Sequence, residues 1–559
     1  MKKRYIDLME KSLNAYSDAH IKSYFEKVKT EGLTEHGFPR LTANIGILIS
    51  HKRRTDLLPI FMEMMEFCCY TIPRVKAAND FSVKEIIFCI NELEKNKTVS
   101  EKDIARWKGY LASIDPYTCY NKYAATPTDK VHNWALFTAV SEFMRQREGL
   151  CDSTEFIDIQ IASQLQWLDE NGMYMDGKPL CSHQPIVYDL VPRGLFAVML
   201  HFGYRGVHYK AMDDCIKGAA LHTLKMQSTT GEIAFGGRSN QFLHNEAHLA
   251  LIFEYEANRY AKEGNTLLAA RFKEAARRAI DSIEAWFEEK TVRHIKNRFP
   301  IESKYGCEDY AYFDKYMITA ASFLYVAYTF CDDSIKAAEL PDTSAEVFVT
   351  SKYFHKAFAK CGEYCIEIDT EGDPNYDASG LGRVHRRGAP AAICLSLPCP
   401  AAPSYTLDTD SAISFSLCAA IKENGEWIFG ADERTKYDLL RVETTDCAAF
   451  ADVECLFENG KRVTICHKVS ESGVEIELRG KGEIAFGLPA LSFDGENESV
   501  IRAKGGDLSV SYMGWVCRYT TSGEISELAA TARNRNGHYR TFYTHGRDLL
   551  KIKIDIAKE

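Results

Sequence analysis

The feature that most constrains this chain is a change of hydrophobic period past its midpoint. Up to about residue 335, apolar side chains recur at i, i+3, i+4 and i+7. RTDLLPIFMEMMEFCCYTI, KVHNWALFTAVSEFMRQR, FIDIQIASQLQWLDE and TLLAARFKEAARRAIDSIEAWFEE all follow that spacing. Gly and Pro punctuate the joins, as in GFPR, DPYT, TPTD, NGMYMDGKP, FGYRG and TTGEIAFGG. Roughly ten to twelve helices fit this span. No fixed sequence period repeats, which excludes a solenoid of sequence-identical repeats and leaves open helical hairpins wound into a toroid.

After about residue 345 the spacing becomes alternating. ECLFENGKRVTICHKVSESGVEIELRG, SLCAAIKENGEWIFG and DLSVSYMGWVCRYTT carry β-branched residues two apart, with turns at ENG and ESG, and TFYTHGRDLLKIKIDIAKE closes the chain as a last strand. The segment CDDSIKAAELPDTSAE joins the halves. The expected class is α+β multidomain: an N-terminal helical domain over 1–335, a linker over 336–345, and a large antiparallel β-sandwich over 346–559.

Composition matters for what it excludes. The 559 residues carry a net charge of −10, so there is no basic field to hold nucleic acid, and an anionic substrate needs a local cationic pocket. The start, MKKRYIDLMEKSLNAYSDAH, lacks the apolar core of a secretory signal, and no stretch reaches the ~20 apolar residues of a membrane span. A cytoplasmic protein without membrane contact is expected. The 18 cysteines then read as free thiols, mostly small core residues, and no CxxC pair suggests zinc. Neither a metal nor another cofactor is expected.

Four polar clusters interrupt the helical half. In VHNWALF, Asn133 and Trp134 open an apolar run; a cap followed by a core Trp is the plain reading. In NGMYMDGKPLCSHQPIVYDLVPRGLF, a loop carries Asp176-Gly177, His183, Tyr188, Asp189 and Arg193 into a helix. His183 and Tyr188 suit a base and an acid on two sides of one substrate atom. GGRSNQFLHNEAH crowds Arg238, Ser239, Asn240, Gln241, His244, Asn245, Glu246 and His248 into a helix mouth. Gly236-Gly237 allow positive φ and close backbone approach, and Arg238 can grip a carboxylate in a fork. Glu246, eight residues on along the expected helical face, is placed to orient Arg238 or to act itself. His244 and His248 are i, i+4, but HNEAH is not HExxH. In YGCEDYAYFDKYMITAASFLYVAY, Glu308, Asp309, Tyr310, Tyr312 and Tyr316 precede an apolar helix, where the tyrosines can stack on sugar rings. In the β half, His355, Arg383, His385, Arg386 and Arg387 stand in apolar surroundings, placed to reach across a domain cleft.

On these residues the chain resembles the polysaccharide lyases of the (α/α)-toroid plus antiparallel β-sandwich type, which include the chondroitin/hyaluronan lyases and the heparinase II/III-like and oligoalginate lyases. The chondroitin lyase type carries, in order, an Asn beside Trp, a DG-x-F-x-x-H loop followed by a Tyr, and a GR segment. Here Asn133-Trp134, Asp176-Gly177 with His183 and Tyr188, and Gly237-Arg238 stand in that order. The intervals from Asn133 to His183 and from Tyr188 to Arg238 are each 50 residues. The His-to-Tyr gap of five is shorter than that family's, and the loop lacks its aromatic and glutamine surroundings. NGMYMDG, YDLVPRG and GGRSNQF are also similar to a group of uncharacterised toroidal proteins (domain of unknown function 2264) and to the toroidal β-glucuronidases of glycoside hydrolase family 154.

Two chemistries follow. β-Elimination needs a uronate carboxylate neutralised, here by Asn133 and His183, and the C5 proton taken by Tyr188 or His183. Arg238 would favour the tyrosinate, with Glu246 holding Arg238. Trp134, Asp189, Arg193, Asn240, Gln241, His244, Glu308, Tyr310, Tyr316 and His385 are expected to line the substrate. Hydrolysis instead needs two carboxyls about 5–5.5 Å apart if retaining, or about 6.5–9.5 Å if inverting. Asp176, Asp189, Glu232, Glu246, Glu308 and Asp309 are then the candidates. A sugar-binding protein without activity would use the same Tyr and Trp platforms. The expected partner is a short anionic oligosaccharide, and a homo-oligomer is possible.

Overall fold

The computed structural model describes residues 1–77, 79–176, 186–338 and 345–559. Fourteen α-helices precede the first strand among these residues. They are α1 (Lys2–Asn14), α2 (Asp18–Glu31), α3 (Gly37–Ser50), α4 (Leu58–Thr71), α5 (Asn79–Lys95), α6 (Glu101–Ala112) and α7 (Pro116–Cys119). Then come α8 (Trp134–Arg147), α9 (Thr154–Leu165), α10 (Ile186–His201), α11 (Tyr209–Met226), α12 (His244–Lys262), α13 (Thr266–Phe287) and α14 (Phe313–Phe330). The count exceeds the expected ten to twelve partly because α7 is a single Pro-initiated turn, too short to show a period.

Six of these helices close into a ring. Each neighbours the next in the order α3, α5, α8, α10, α12, α14, and α14 returns to α3. Their sequences explain the position. Every residue of α3, GFPRLTANIGILIS, is buried, and α14 is apolar over most of its length. A helix apolar on nearly all sides must be covered on nearly all sides. Helices α4, α9, α11 and α13 pack outside the ring, against α3, α8, α10 and α12 respectively. Gly46 permits the close contact within α3's neighbourhood, because a Cβ there would overlap Cys89 Sγ and the Phe61 ring. Links entering the later ring helices are long (120–133, 227–243, 288–312), whereas links leaving them are short (96–100, 148–153, 202–208, 263–265). Among the described residues no helix is long and apolar enough to cross a membrane.

The last helix ends at Phe330 and the first strand begins at Glu346. The expected linker, 336–345, falls largely outside the described residues. Strands β1 (Glu346–Val349), β2 (Lys356–Cys361), β3 (Tyr364–Asp369) and β4 (Gly380–Arg386) form a small antiparallel sheet in sequence order. Eleven more strands form the large sheet: β5 (Ala419–Glu423), β6 (Glu426–Phe429), β7 (Lys436–Thr444), β8 (Ala448–Leu456), β9 (Arg462–Ser470), β10 (Gly473–Phe493), β11 (Val500–Lys504), β12 (Asp507–Tyr512), β13 (Trp515–Thr521), β14 (Glu524–Asn534) and β15 (Gly537–Lys558). Its spine is the antiparallel pair β10 and β15, 21 and 22 residues long. Strand β9 buries every second residue, as its alternating sequence dictates.

The small sheet lies between the large sheet and the toroid, so both of its faces are covered. Ala357, Ala359, Ile366, Ile368, Leu381 and Val384 point into the sandwich core. The alternate residues Lys356, Glu367, Asp369, Arg383 and His385 are also buried, on the face that meets the toroid. Period-2 alternation holds in β2 and β3, and in β4 a bulge at Gly382 resets it between Leu381 and Val384; the polar face simply meets protein instead of water.

Candidate active site

The first turns of the ring helices, and the links leading into them, meet at one mouth of the toroid. Tyr188, in the first turn of α10, places its hydroxyl 2.9 Å from Ser239 Oγ. Tyr310, just before α14, approaches the same Oγ at 3.0 Å, and Tyr316, in α14, at 3.5 Å. Three tyrosine hydroxyls thus converge on one serine. Ser239 holds a left-handed backbone with φ +57°. Its N–H donates to Glu308 at 2.6 Å, and its carbonyl accepts from Asn245 at 3.0 Å. Glu308 is in turn gripped from the sandwich by Arg535, at 2.6 and 3.0 Å. Arg535 is fully buried and stacks 4.1 Å from the Tyr405 ring centre.

Arg238 completes the cluster. Its guanidinium lies over the Tyr188 ring, 4.6 Å from the centre, and is ion-paired to Asp176. The Asp176 side chain is inaccessible, while Arg238 keeps 36% of its own exposed. Asp176 also accepts from Asn133 Nδ2 at 2.9 Å. Burial disfavours the Arg238 charge, but Tyr188, Asp176 and Tyr310 outweigh it and hold the group protonated above its ordinary range. Burial, then the Tyr188 and Glu308 charges, push the Tyr310 hydroxyl well above the phenol range. Burial, then Tyr188 and Tyr310, do the same for Tyr316. Both therefore stay protonated donors at neutral pH. Yet Tyr310 leaves 38% of itself at the surface, so the serine-centred network opens to solvent.

Several expectations need correction. Asn133 stands at the start of α8 without capping it; its amide is committed to Asp176. Trp134 is half-buried and packs edge-on against Phe81 inside the toroid. Glu246 does not hold Arg238. It accepts from Ile233 N and from Lys296 Nζ at 2.8 Å, deep in the seam between the halves. Asp189 and Arg193 neutralise each other one turn apart on α10, both buried, with Asp189 also accepting from Tyr174 N at 2.7 Å. Asn240 and Gln241 are buried too, Asn240 bonding Ala234 O and Gln241 bonding Asn240 and Asn536. His385 is sealed at the seam, with Nδ1 2.7 Å from Ser228 Oγ and burial holding the ring neutral. His183 lies outside the described residues.

His244 lies beside the cluster. Its ring meets Tyr316 edge-on at 5.0 Å, and burial, then Arg40, His294 and Lys296, lower its pKa to about 3. His248 packs on Phe323, with centres 3.6 Å apart. Deeper in the ring, Arg40 donates to Thr319 at 2.6 Å and lies 3.7 Å from Glu85, which also pairs with Lys84. Arg40 went unread in the sequence, although an arginine inside GFPRLTANIGILIS was the available signal.

The loop presenting Arg238 and Ser239 is held by the sandwich. Arg383 donates to Ile233 O at 2.7 Å, Phe235 N to Glu367 at 3.2 Å, and Gly237 N to Asp377 at 3.0 Å. The Lys356 ammonium sits 3.5 Å from the Phe235 ring centre. Gly236 and Gly237 do adopt positive φ, +128° and +73°. The close approach they allow is to the sandwich: a Cβ on Gly236 would stand 3.0 Å from Lys356 Cε. Burial, then Asp369, raise the Asp377 carboxyl to about 7 against the pull of Lys356 and Gly237 N–H.

Among solved structures, heparinase III (the BT4657 gene product) matches with a TM-score of 0.50 at 10% identity, over 93% of this chain and 78% of that one. The chain has the toroid-plus-sandwich fold of the polysaccharide lyases. A second heparinase III structure aligns with a TM-score of 0.46 at 10% identity, over 93% and 76% of the two chains. A heparan sulfate lyase HepC mutant from Pedobacter heparinus aligns with a TM-score of 0.42 at 9% identity, over 92% and 76%. No protein-family model matches the chain, and the search of curated proteins gives no match. At such identities the likeness concerns the fold alone.

Proposed function

We propose that this protein cleaves short uronate-containing oligosaccharides by β-elimination at the toroid mouth. The observation that carries the reading is the convergence of Tyr188, Tyr310 and Tyr316 on Ser239 beside the half-exposed Arg238. Arg238 meets the uronate carboxylate as a fork of donors, fixed from behind by Asp176 and Asn133. Tyr188, acting as the phenolate, takes the C5 proton. The electron pair left at C5 forms the C4–C5 double bond as the C4–O4 bond breaks, and the leaving O4 takes its proton from the now protonated Tyr188 or from His183. The hydroxyl chain from Tyr188 through Ser239 to Tyr310 gives that proton traffic a route to the surface. His183, five residues before Tyr188, is the expected second acid-base group.

Hydrolysis finds less support in the carboxylates. Asp176, Asp189, Glu232, Glu246 and Glu308 are each committed to an ion pair with a lysine or arginine of the fold, which leaves none of them standing free as one of a catalytic pair. Asp309 is exposed. The test is to incubate the protein with a panel of uronate oligosaccharides and follow the ultraviolet absorbance of the conjugated C4–C5 double bond. A rise that disappears in Tyr188→Phe and His183→Ala is expected. Release of saturated uronate with flat absorbance would transfer the assignment to a hydrolase.

A further inference from the structure

A cavity of about 520 Å³ opens in the seam between α13 and the sandwich. None of Tyr188, Arg238, Ser239, Tyr310 or Tyr316 lines it. It borrows other residues of the same loop, Glu232 and Gln241 among them, and adds Arg278 and Trp286 from α13 and Trp515 and Asn536 from the sandwich.

Its polar wall is incomplete. Asn536 is 4% exposed, yet Asn536 Oδ1 has no hydrogen-bond partner, nor has Arg278 Nη2, and Glu232 Oε2, on a side chain 3% exposed, has only the ion pair with Lys296. The cation nearest Glu232 is Lys296, at 3.3 Å, which donates instead to Glu246 at 2.8 Å. Asn536 cannot escape by flipping its amide, because Nδ2 already donates to Gln241 Oε1 at 3.1 Å and Lys296 O at 2.8 Å. Buried polar atoms left unpaired are costly and point to a missing partner. Two acceptors and one donor beside two half-buried indoles suit a hydroxyl-rich ring. Its hydroxyls would bond Glu232, Asn536 and Arg278, and its C–H faces would lie on Trp286 and Trp515. The volume is that of a small-molecule site, typically about 300–1,000 Å³. The charges of the wall cancel locally: Arg277 pairs with Asp281, and Arg298 with Glu289 and Asp494. Arg278 pairs with Glu274 as well, so these three cations already have carboxylate partners and the wall suits an uncharged ligand.

We propose that this seam cavity binds a neutral mono- or disaccharide, at a site separate from the tyrosine cluster and independent of what that cluster does. The full-length protein is titrated with glucose, galactose, mannose, xylose, N-acetylglucosamine and cellobiose, by calorimetry and by indole fluorescence. Saturable binding of at least one sugar is expected. Trp515→Ala or Asn536→Ala, on different sides of the cavity and each checked for folding by circular dichroism, should weaken it at least tenfold, and Tyr188→Phe should leave it unchanged. The proposal is overturned if no sugar binds, if binding survives both cavity substitutions, or if it is lost in Tyr188→Phe.

Discussion

At the scale of residues, one hydroxyl separates two kinds of contact at the toroid mouth. Replacing Tyr188 by Phe keeps the ring beneath Arg238 and removes the hydroxyl that bonds Ser239 and Arg238. Steady-state kinetics should show kcat falling about 10²–10⁴-fold, the usual worth of a positioned acid-base group, with KM and thermal midpoint little changed. Asp189→Ala should behave in the opposite way. It leaves Arg193 buried without its counter-charge, which costs about 3–5 kcal/mol, to be read as a lower urea midpoint. Which residues gather was largely legible: Asn133, Tyr188, Arg238, Glu308, Tyr310 and Tyr316 stand out as polar groups at helix mouths. Who holds whom was not. Glu246 looks like the partner of Arg238 only if residues 238–246 are helical, but α12 begins at His244, so the helical face argued from that spacing does not exist. Asp176, 62 residues before Arg238, takes the role through a fold contact that no local pattern announces. Ser239 and Gln241 adopt left-handed backbone without being glycine, so nothing in their identity marked the turn.

At the scale of elements, the loop over 233–237 matters more than its length suggests. It is a toroid segment whose backbone is held by side chains of the sandwich. Asp377→Ala removes the acceptor of Gly237 N–H without touching the tyrosines. A site displaced by about 1 Å can lose about 10²-fold in rate, so kcat should fall by that order while the circular dichroism spectrum stays that of the parent. The alternation that identified the strands was plain in the sequence. That the polar face of β2, β3 and β4 would be buried was not, because a period-2 pattern reports two faces and not what covers each. His385 and Arg383 were rightly seen as reaching toward the helical half; they end on its backbone and hydroxyls, not in an open cleft.

At the scale of the whole molecule, both halves bury neutral histidines. Burial lowers His244 in the toroid to about 3, and His294 in the link before α14 and His467 in the sandwich to about 4, from an ordinary 6.5. In the unfolded chain these rings take up protons as pH falls below about 6.5, while the folded sites refuse them. Their stabilising effect is therefore full above that pH and is lost as pH falls toward the folded values. Urea midpoints measured downward from pH 6.5 should decline, and because the cause sits in both halves, circular dichroism and indole fluorescence should report the decline together.

The ring of six helices closes on itself and so has no edge at which another hairpin can be added. Its joins are unequal: short where the chain leaves a ring helix, long where it enters one. A lineage carrying this architecture can therefore change the substrates it admits by lengthening or rewriting the entry links, while the tightly stitched opposite end and the ring itself are inherited unaltered. Its capacity for novelty is confined to one rim.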